Sequence, residues 1–282
     1  MDKPMAGKLL VVSTPIGNLE DVTLRALDVL RNCQLIACED TRNTKKLLAR
    51  YGIETPLTSY HEHNEVEKSQ KLLERLKDGK DVALVSDAGT PSVSDPGWRI
   101  VNLSVENGIE VVPVPGPSAV LSALVVSGLP VDSFLFLGFF PKTVGKKKEL
   151  LKDVKNYPHT LIFYESARRL SGTLSVLLEI LGDRKVCVAR EMTKLYEETV
   201  RGSVSEVISV LSERGSVKGE LTVVLEGSGE GRKETSTEEA RKTLRAMKER
   251  GVALSDAVRA VCESSGASKN SVYGIALGIW EG

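Results

Sequence analysis

Three loops rich in glycine, proline and small hydroxyl residues are the segments of this sequence best suited to hold a small ligand. They span residues 13–18, 86–97 and 115–118, and each follows a short apolar run. Glycine lets a backbone approach a ligand closely. Ligands of open α/β sheets bind where the strands end at their carboxyl edge, so the three loops together predict a binding site. Taken singly, each loop is better explained as an ordinary tight turn.

The second of these loops carries two carboxyl groups, Asp87 and Asp95. Two acidic side chains repel a phosphate group and are compatible with a cationic ligand. The phosphate-binding patterns GxGxxG and GxxxxGK[ST] are absent from the sequence. Ordinary NAD binding and P-loop nucleotide hydrolysis therefore lose their main sequence support.

Several carboxyl and imidazole groups could accept a proton or contact a substrate. Glu39 and Asp40 stand at the end of a predicted strand, where Asp40 could instead cap the following helix. Glu165 follows a later predicted strand and is interpreted either as a ligand contact or as a base. His61 and His63 belong to a polar cluster that has no third metal ligand at useful spacing, so we expect a substrate loop or a plain helix start there.

Basic residues are needed wherever a protein contacts the backbone of a nucleic acid. Each basic cluster of this sequence, taken alone, is typical of a solvated helix face, but together the clusters could surround one cleft. The candidates are Arg42, Lys142, Lys146, Lys147, Lys148, Arg168 and Arg169.

Composition limits the class of protein. The 282 residues are 41% hydrophobic and 27% charged, which excludes wholesale disorder. Thirty-eight basic and 38 acidic residues give no net charge, which excludes a uniformly basic nucleic-acid binder but not a local basic face. The four cysteines, at positions 33, 38, 187 and 262, form no CxxC pattern, so we expect neither a zinc site nor a disulfide framework. Since no apolar run reaches about 18 residues and no signal-peptide pattern is present, we expect a cytoplasmic protein without membrane spans.

The elements that must position these groups alternate between short apolar runs and helix-period segments. Up to residue 114 this alternation predicts a parallel sheet with helices on its faces. Residues 114–117 then predict a turn into a second strand–helix series, which includes an extra antiparallel strand at 197–202. The sequence thus predicts an α/β fold with an N-terminal α/β domain at 1–115 and a C-terminal α/β domain at 116–228.

The end of the chain differs from the two α/β domains. Residues 227–237 form a polar, glycine-rich linker by composition. Three short helical segments follow, at 237–250, 254–264 and 268–279, and the last two have helix-turn-helix spacing. We therefore predict a linker and small helical domain over residues 229–282.

Six segments, in this order along the chain, resemble the ribosomal RNA small subunit methyltransferase I family, a branch of the tetrapyrrole-methylase superfamily. The resemblance covers roughly residues 8–226, and its most distinctive segments are Glu-Asp-Thr-Arg and Tyr-Glu-Ser. The C-terminal helices resemble the family's helix-turn-helix extension more loosely. The segments are TPIGNLEDVTLRAL at 14–27, CEDTR at 38–42, DAGTP at 87–91, PVPGPSA at 113–119, FLGFFPK at 136–142 and FYESARRL at 163–170.

The resemblance implies a fold of the class III methyltransferase type, in which S-adenosyl-L-methionine binds in a cleft between two α/β domains. Ile16 falls where relatives have the proline of a Gly-Pro-Gly-Asp loop, and Asn18 replaces the acid of that loop. Thr90 departs from the aspartate of the Gly-Gly-Asp motif, a difference for which Asp87 is the candidate compensation. The residues that the resemblance places at the cofactor are Ile16, Asp87, Ala88, Gly89, Thr90, Val93, Ser118, Tyr164 and Ala189.

The resemblance also implies a reaction: 2′-O-methylation of a cytidine ribose in 16S ribosomal RNA or the small ribosomal subunit, by a homodimer. The resulting prediction assigns Glu39, Asp40 and Glu165 to catalysis and Arg42, His61, His63, Lys142, Lys146, Arg168 and Arg169 to RNA contact, with no metal. Two alternatives remain: a tetrapyrrole (precorrin-type) methyltransferase and a non-catalytic ribosome-associated RNA-binding factor. The Glu-Asp-Thr-Arg and Tyr-Glu-Ser segments favour the RNA enzyme over the first, and the three loops favour it over the second.

Overall fold

The N-terminal half of the chain is built on five short strands that form one fully parallel sheet. The structure, a computed structural model, describes residues 6–213, 219–229, 237–265, 267 and 269–280. The strands are β1 (Leu9–Val12), β2 (Leu35–Cys38), β3 (Leu57–Ser59), β4 (Val82–Val85) and β5 (Val111–Val114). They lie in the order β3-β2-β4-β1-β5.

The apolar runs predicted as strands form the centre of this sheet. All residues of β2 and β4 are buried, as expected for parallel strands covered on both faces. The edge strand β3 was not predicted, because its Leu-Thr-Ser sequence is only three residues long and half-buried throughout. In the structure, β3 is a strand because it pairs with β2, and its own sequence does not indicate that pairing.

Two helices cover each face of the first sheet. These helices are α1 (Leu24–Asn32), α2 (Thr41–Arg50), α3 (Glu65–Lys77) and α4 (Trp98–Glu106). Helices α1 and α2 contribute Leu30 and Leu48 to one hydrophobic cluster, and α3 and α4 contribute Leu72 and Ile100 to another on the opposite face. The parallel, doubly covered sheet predicted for this half is confirmed.

A second five-stranded sheet follows, and it is mostly antiparallel. Its strands are β6 (Phe134–Phe139), β7 (Thr160–Ser166), β8 (Lys185–Arg190), β9 (Glu198–Ser203) and β10 (Glu220–Leu225). The order is β6-β7-β10-β8-β9, with only β6 and β7 parallel. The predicted extra strand is confirmed as β9, which pairs antiparallel with β8.

The two faces of the second sheet are covered unequally. Its helices are α5 (Ala119–Val126), α6 (Val144–Asp153), α7 (Ala167–Leu181) and α8 (Val204–Glu213). Helices α6, α7 and α8 cover one face over a large core. Among the described elements only α5 packs on the other face, where Val120 and Leu124 contact Ile162 and Val224. The uncovered part of that face forms one wall of a cleft.

The last three helices pack together over a small core of their own. They are α9 (Thr237–Glu249), α10 (Leu254–Ser265) and α11 (Lys269–Trp280), close to the predicted segments. Leu244, Val258 and Val272 are buried between them. Residues 230–236 of the predicted linker lie outside the described residues. In the described part of the chain, no helix has both the length and the apolar character that crossing a bilayer requires.

Candidate functional site

A cavity of about 910 Å³ opens between the carboxyl edge of the first sheet and the free face of the second, and we call it the cleft. Its walls come from the loops after β1, β4 and β5, from the start of α5, and from residues of β6, β7, β8 and β10. A cavity of this size is in the range that holds a small organic ligand. The three loops selected from the sequence therefore meet in one place.

The loops after β1 and β4 are joined by a short backbone ladder. Thr14 and Gly89 exchange two hydrogen bonds, from Thr14 N to Gly89 O at 2.9 Å and from Gly89 N to Thr14 O at 3.0 Å. The buried Thr14 hydroxyl donates to the Ser86 carbonyl at 3.1 Å. The hydroxyls of Ser13 and Thr90 lie 3.0 Å apart and share one further hydrogen bond. These contacts hold the ligand-facing backbone in a fixed shape.

Gly89 leaves a recess between two of the loops. Its φ of +80° is a left-handed conformation that favours glycine. A Cβ at this position would lie 3.5 Å from Ile16 Cγ2 and 3.8 Å from the Pro117 carbonyl oxygen. The glycine thus keeps open a space that a side chain would occupy.

All of the residues that the resemblance places at the cofactor line the cleft. They come from five loops or strands that are far apart in sequence, which the fold brings to one cavity. Ser118 Oγ also caps α5 by accepting from Leu121 N at 3.4 Å. The residues are Ile16, Asp87, Ala88, Gly89, Thr90, Val93, Ser118, Tyr164 and Ala189.

The loop between β4 and α4 is conformationally strained. Ser92 and Ser94 both have φ of +69°, a region that residues with a side chain rarely adopt. Such strain costs about 1–3 kcal/mol per residue and is concentrated at functional sites. Val93 and Asp95, which alternate with the two serines, line the cleft.

Asp95 and Glu39 are carboxyl groups with raised pKa values in the wall of the cleft. Burial raises the pKa of Asp95 to about 6, and the Glu39 and Asp87 carboxylates add to the effect. Burial also raises the pKa of Glu39, again with help from Asp87. A carboxyl that titrates near neutrality is suited to accept a proton in a reaction. The sequence identified Asp95 only as an acid in a loop, because its burial depends on the fold.

Asp87 faces the first turn of α2. One carboxylate oxygen accepts from Asp40 N at 3.0 Å and the other accepts from Asn43 Nδ2 at 2.8 Å. Asp87 lines the cleft, but both of its oxygens accept hydrogen bonds from residues that do not line it. The proposed compensation for Thr90 therefore has little support in this arrangement.

The structure places Asp40 outside the residues that line the cleft, so the geometry does not favour its predicted role in catalysis. Its side chain caps α2 by accepting from Arg42 N at 2.8 Å, and it pairs with the Arg42 guanidinium at 2.6 Å. These hydrogen bonds lower the pKa of Asp40 to about 2, which makes it a poor base. The helix-capping interpretation is the one that the geometry supports.

Glu165 lines the cleft by its position, but its carboxylate is fully enclosed, so the geometry does not favour its predicted role as a base. It accepts hydrogen bonds from Ser166 N at 2.7 Å and from Thr173 Oγ1 at 2.6 Å. It also forms ion pairs with Arg169 at 2.5 Å and with the buried Lys147 at 3.5 Å. Both carboxylate oxygens are therefore engaged by protein partners and turned away from a substrate proton.

Aromatic rings form the wall opposite the acids. Tyr164 lies between Phe136, at a ring distance of 5.0 Å, and Phe139, at 5.2 Å. Burial raises the pKa of Tyr164 to about 12, and the Asp95 carboxylate adds to the shift across the cleft. The tyrosine is therefore neutral at physiological pH and provides a flat surface for a ring.

Most of the basic and imidazole residues predicted to contact RNA lie away from the cleft lining. Arg169 alone among them lines it; Arg42, His61, His63, Lys142, Lys146 and Arg168 do not. The Nδ1 atom of His61 is buried without a hydrogen-bond partner in the described structure, and Asn64 lies 3.1 Å from Nε2. Within the described ranges, no cluster of three His, Cys, Asp or Glu side chains is arranged to hold a metal ion.

A segment after β8 was missed by the sequence analysis. Met192 and Lys194 line the cleft, and Glu191 and Thr193 have positive φ angles of 48° and 66°. Thr193 Oγ1 accepts from Asn18 N at 3.0 Å, so the segment contacts the loop after β1 across the cleft. It has no glycine or motif that would have identified it. Only the fold places it there.

The sequence matches a known family model over most of its length. Residues 8–208 match the model described as Tetrapyrrole (Corrin/Porphyrin) Methylases. The chain is 52% identical over 222 residues to the ribosomal RNA small subunit methyltransferase I of Bacillus subtilis, covering 79% of this chain and 76% of that protein. It is 42% identical over 273 residues to the protein of the same name from Escherichia coli O157:H7, covering 96% and 95%.

Solved structures share the fold at lower identity. A uroporphyrin-III C-methyltransferase from Thermus thermophilus, in complex with S-adenosylhomocysteine, superposes with a TM-score of 0.54 at 21% identity, covering 77% of this chain and 97% of that one. A cobalt precorrin-4 methyltransferase superposes with a TM-score of 0.56 at 18% identity, covering 79% and 95%. At these identities the likeness establishes the architecture.

Proposed function

The chain belongs to the tetrapyrrole (corrin/porphyrin) methylase family, and from this membership we propose that it methylates the 2′-hydroxyl of a cytidine ribose in small-subunit ribosomal RNA with S-adenosylmethionine as donor. Relatives at 42% and 52% identity carry the name ribosomal RNA small subunit methyltransferase I, which supports the RNA substrate. The choice of cytidine and of the 2′-oxygen follows from the family resemblance of the motifs. Because the substrate is ribosomal RNA, we place the reaction in the cytoplasm.

The observation that carries the proposal is the cleft itself. One cavity of about 910 Å³ collects all of the residues that the resemblance places at the cofactor. The recess at Gly89 admits a ligand close to the backbone, and the Tyr164 ring provides a flat apolar wall for an adenine ring. Carboxylates at the opposite side favour a cationic donor. The residues present therefore fit S-adenosylmethionine, which offers an adenine ring and a sulfonium cation.

S-adenosylmethionine supplies a methyl group that is already activated by its positive sulfur. The protein has to hold the ribose oxygen in line with that methyl group, since orientation alone contributes up to ~7–11 kcal/mol. The ribose hydroxyl must also lose its proton as its oxygen forms the new bond to carbon.

We assign Asp95 as the group that takes this proton, with Glu39 beside it. Asp95 lines the cleft, and its pKa of about 6 leaves it mostly ionised yet basic at neutral pH. A positioned base contributes about 10²–10⁴-fold to a rate. Burial keeps the pKa of Asp95 high and repulsion by the Glu39 carboxylate adds to it, so Glu39 supports the proposed role of Asp95.

The family resemblance also implies a homodimer. Large apolar side chains on α5 and β6 are available for such a contact, since Leu121 is 52% exposed, Val125 70% and Phe139 66%. Exposed apolar patches of this kind favour association. We expect sedimentation to give the mass of two chains; a monomer at micromolar concentration would contradict the dimer.

The first experiment measures S-adenosylmethionine binding by calorimetry in the wild type and in Gly89→Ala. A methyl group at Gly89 would occupy the space that a bound ligand would otherwise approach, at a cost to binding of ~1–3 kcal/mol, so we expect binding at least about fivefold weaker. Gly52→Ala is a matched control, because Gly52 has a similar φ of +62° but its Cβ would meet open space. Equal affinities of the two variants would argue against the cleft as the cofactor site.

The second experiment identifies the product. Small-subunit RNA is incubated with the enzyme and methyl-labelled donor and then hydrolysed with alkali. A 2′-O-methyl group blocks cleavage of the next phosphodiester, so the label should appear in an alkali-stable dinucleotide that begins with methylated cytidine. Label in single nucleotides would indicate base methylation. Label transferred to a tetrapyrrole but not to RNA would favour the alternative substrate.

A further inference from the structure

Arg169 reaches the cleft from the first turn of α7, and one end of its guanidinium has no partner. Its Nε donates to Ser166 Oγ at 3.1 Å, and its Nη2 pairs with a Glu165 oxygen at 2.5 Å. Its Nη1 is buried and has no hydrogen-bond acceptor among the described residues. Since an unsatisfied buried donor costs about 1–3 kcal/mol, this atom is poised for an acceptor that arrives with a ligand.

Glu165, the ion-pair partner of Arg169, is itself held in place by further contacts. Glu165 is 3% exposed, and its second oxygen accepts from Thr173 Oγ1 at 2.6 Å. Lys147, which is 4% exposed, donates to the same threonine hydroxyl and lies 3.5 Å from the Glu165 carboxylate. This chain of contacts from α6 through α7 to β7 leaves the arginine little freedom to turn away.

The charges of this cluster do not balance. Glu165 is the single carboxylate that pairs with both Lys147 and Arg169 in the described structure. One positive charge is therefore left over at the cleft, on the arginine that lines it. An unbalanced cation in a partly buried site attracts an anionic ligand.

We propose that Arg169 binds a phosphodiester oxygen of the RNA strand next to the methylated ribose, and that Glu165, Lys147 and Thr173 are positioning residues for it. The inference rests on the proposed RNA substrate. A phosphate flanks every ribose, and arginine is well suited to bind it. The carboxylate of S-adenosylmethionine is a poorer fit, because the ammonium and sulfonium groups of the same molecule would be repelled by the arginine.

The test is the salt dependence of RNA binding by the full chain saturated with S-adenosylmethionine, for Arg169→Gln and for Arg75→Gln. Each phosphate contact to a single strand contributes about 0.7 to the slope of log K against log salt. Arg169→Gln should lower the slope by about this amount and leave cofactor affinity unchanged. Arg75 is the matched control because it is exposed on α3, outside the cleft lining, and is not among the residues predicted to contact RNA, so the same loss of charge should change the slope less.

Three results would overturn the proposal. Equal slopes for the two variants would mean that Arg169 contacts no phosphate. Weaker S-adenosylmethionine binding by Arg169→Gln, with an unchanged RNA slope, would assign the arginine to the cofactor carboxylate. Absence of RNA binding by the wild type would remove this inference together with the proposed function, whereas RNA methylation with equal slopes would remove the inference alone.

The positioning role is tested at Thr173. Thr173→Val removes the hydroxyl that joins Lys147 to Glu165 but keeps the shape of the side chain. We expect a higher KM for RNA with little change in kcat and in cofactor affinity, and we expect Thr173→Ser to restore the KM. If Thr173→Val and Thr173→Ser have the same KM, or if cofactor affinity falls in step with RNA affinity, the hydroxyl does not position Arg169.

Discussion

The two walls of the cleft use carboxyl groups in opposite ways. On the side of the first sheet, Glu39 and Asp95 are partly buried and form no ion pair among the described residues, so burial and neighbouring carboxylates raise their pKa values. On the side of the second sheet, Glu165 is more deeply buried but is paired with Lys147 and Arg169. The same chemical group is thus available for a proton on one wall and occupied on the other.

This difference shows that position at the end of a strand does not decide the role of a carboxylate. Glu39 follows β2, and Glu165 lies near the end of β7, so both meet the positional criterion for a site residue. What separates them is the set of partners that the fold supplies. A buried carboxylate with cations and hydroxyl donors is structural, whereas one that lacks a cation keeps its affinity for a proton.

The largest expected effect is the loss of stability in Glu165→Gln. This change leaves Lys147 buried without a countercharge, and breaking a buried pair in this way costs ~3–5 kcal/mol. We expect a corresponding fall in the free energy of unfolding, measured by urea titration followed by circular dichroism. The double variant Lys147→Met/Glu165→Gln, which removes the stranded charge, should recover most of the loss. A double variant no more stable than the single one would contradict the assignment of Glu165 as a structural anchor.

A smaller and opposite effect is expected for Asp95→Asn at neutral pH. Asp95 in the folded chain has a pKa of about 6, above its usual value of 3.8, so its ionised form destabilises the folded state. The penalty is absent below about pH 4, grows as the pH rises towards 6, and is complete above it. The amide removes it, so we expect the free energy of unfolding to rise by ~1–3 kcal/mol at pH 7.

The pH dependence of the free energy of unfolding provides a control for Asp95→Asn. Asp95→Asn and the wild type should have equal stability below about pH 4, where the aspartate is protonated in both folded and unfolded chains. Asp28→Asn, at a carboxyl that is 73% exposed on α1, should give no gain at pH 7. An equal gain from both variants would mean that general surface charge, not burial in the cleft, is responsible.

The smallest effect is expected at Asp40. Asp40→Asn keeps a side chain that can cap α2, so we expect methyl transfer close to that of the wild type. The pKa of Asp40 is about 2, below its usual value, so the stabilisation by Arg42 is present above about pH 4 and is lost as the pH falls through 2. A large loss of methyl transfer in Asp40→Asn at pH 7 would show that Asp40 takes part in catalysis.

The sequence predicts the elements well where local pattern and burial agree. The continuous apolar runs at β2 and β8 are found with the predicted bounds, Leu35–Cys38 and Lys185–Arg190. The mostly antiparallel order of the second sheet was less predictable. Antiparallel pairing of β10 with β7 and β8 depends on which strand lies in the middle, and local sequence does not contain that information.

In the candidate site, too, some features were predictable from local sequence and others were not. Loops after strands are visible in sequence, so the glycine recess and its neighbours were predicted to lie together. The burial of Asp95 and the partners of Glu165 were not predictable, because Thr173 and Lys147 are 8 and 18 residues away in sequence. The sequence analysis placed Lys147 among lysines that are typical of a solvated helix face, whereas the structure buries it against the Phe140 ring. Electrostatic roles depend on such long-range contacts, and a single sequence does not show them.

The most direct test of the account is the pH dependence of methyl transfer to small-subunit RNA by the wild type and by Asp95→Asn. The account predicts that the wild-type rate rises with pH through about 6, as Asp95 loses its proton, and then levels off. Asp95→Asn should be slower by about 10²–10⁴-fold and should lack this step. An Asp95→Asn rate that matches the wild type and keeps the same step near pH 6 would contradict the assignment of the first wall of the cleft to proton transfer.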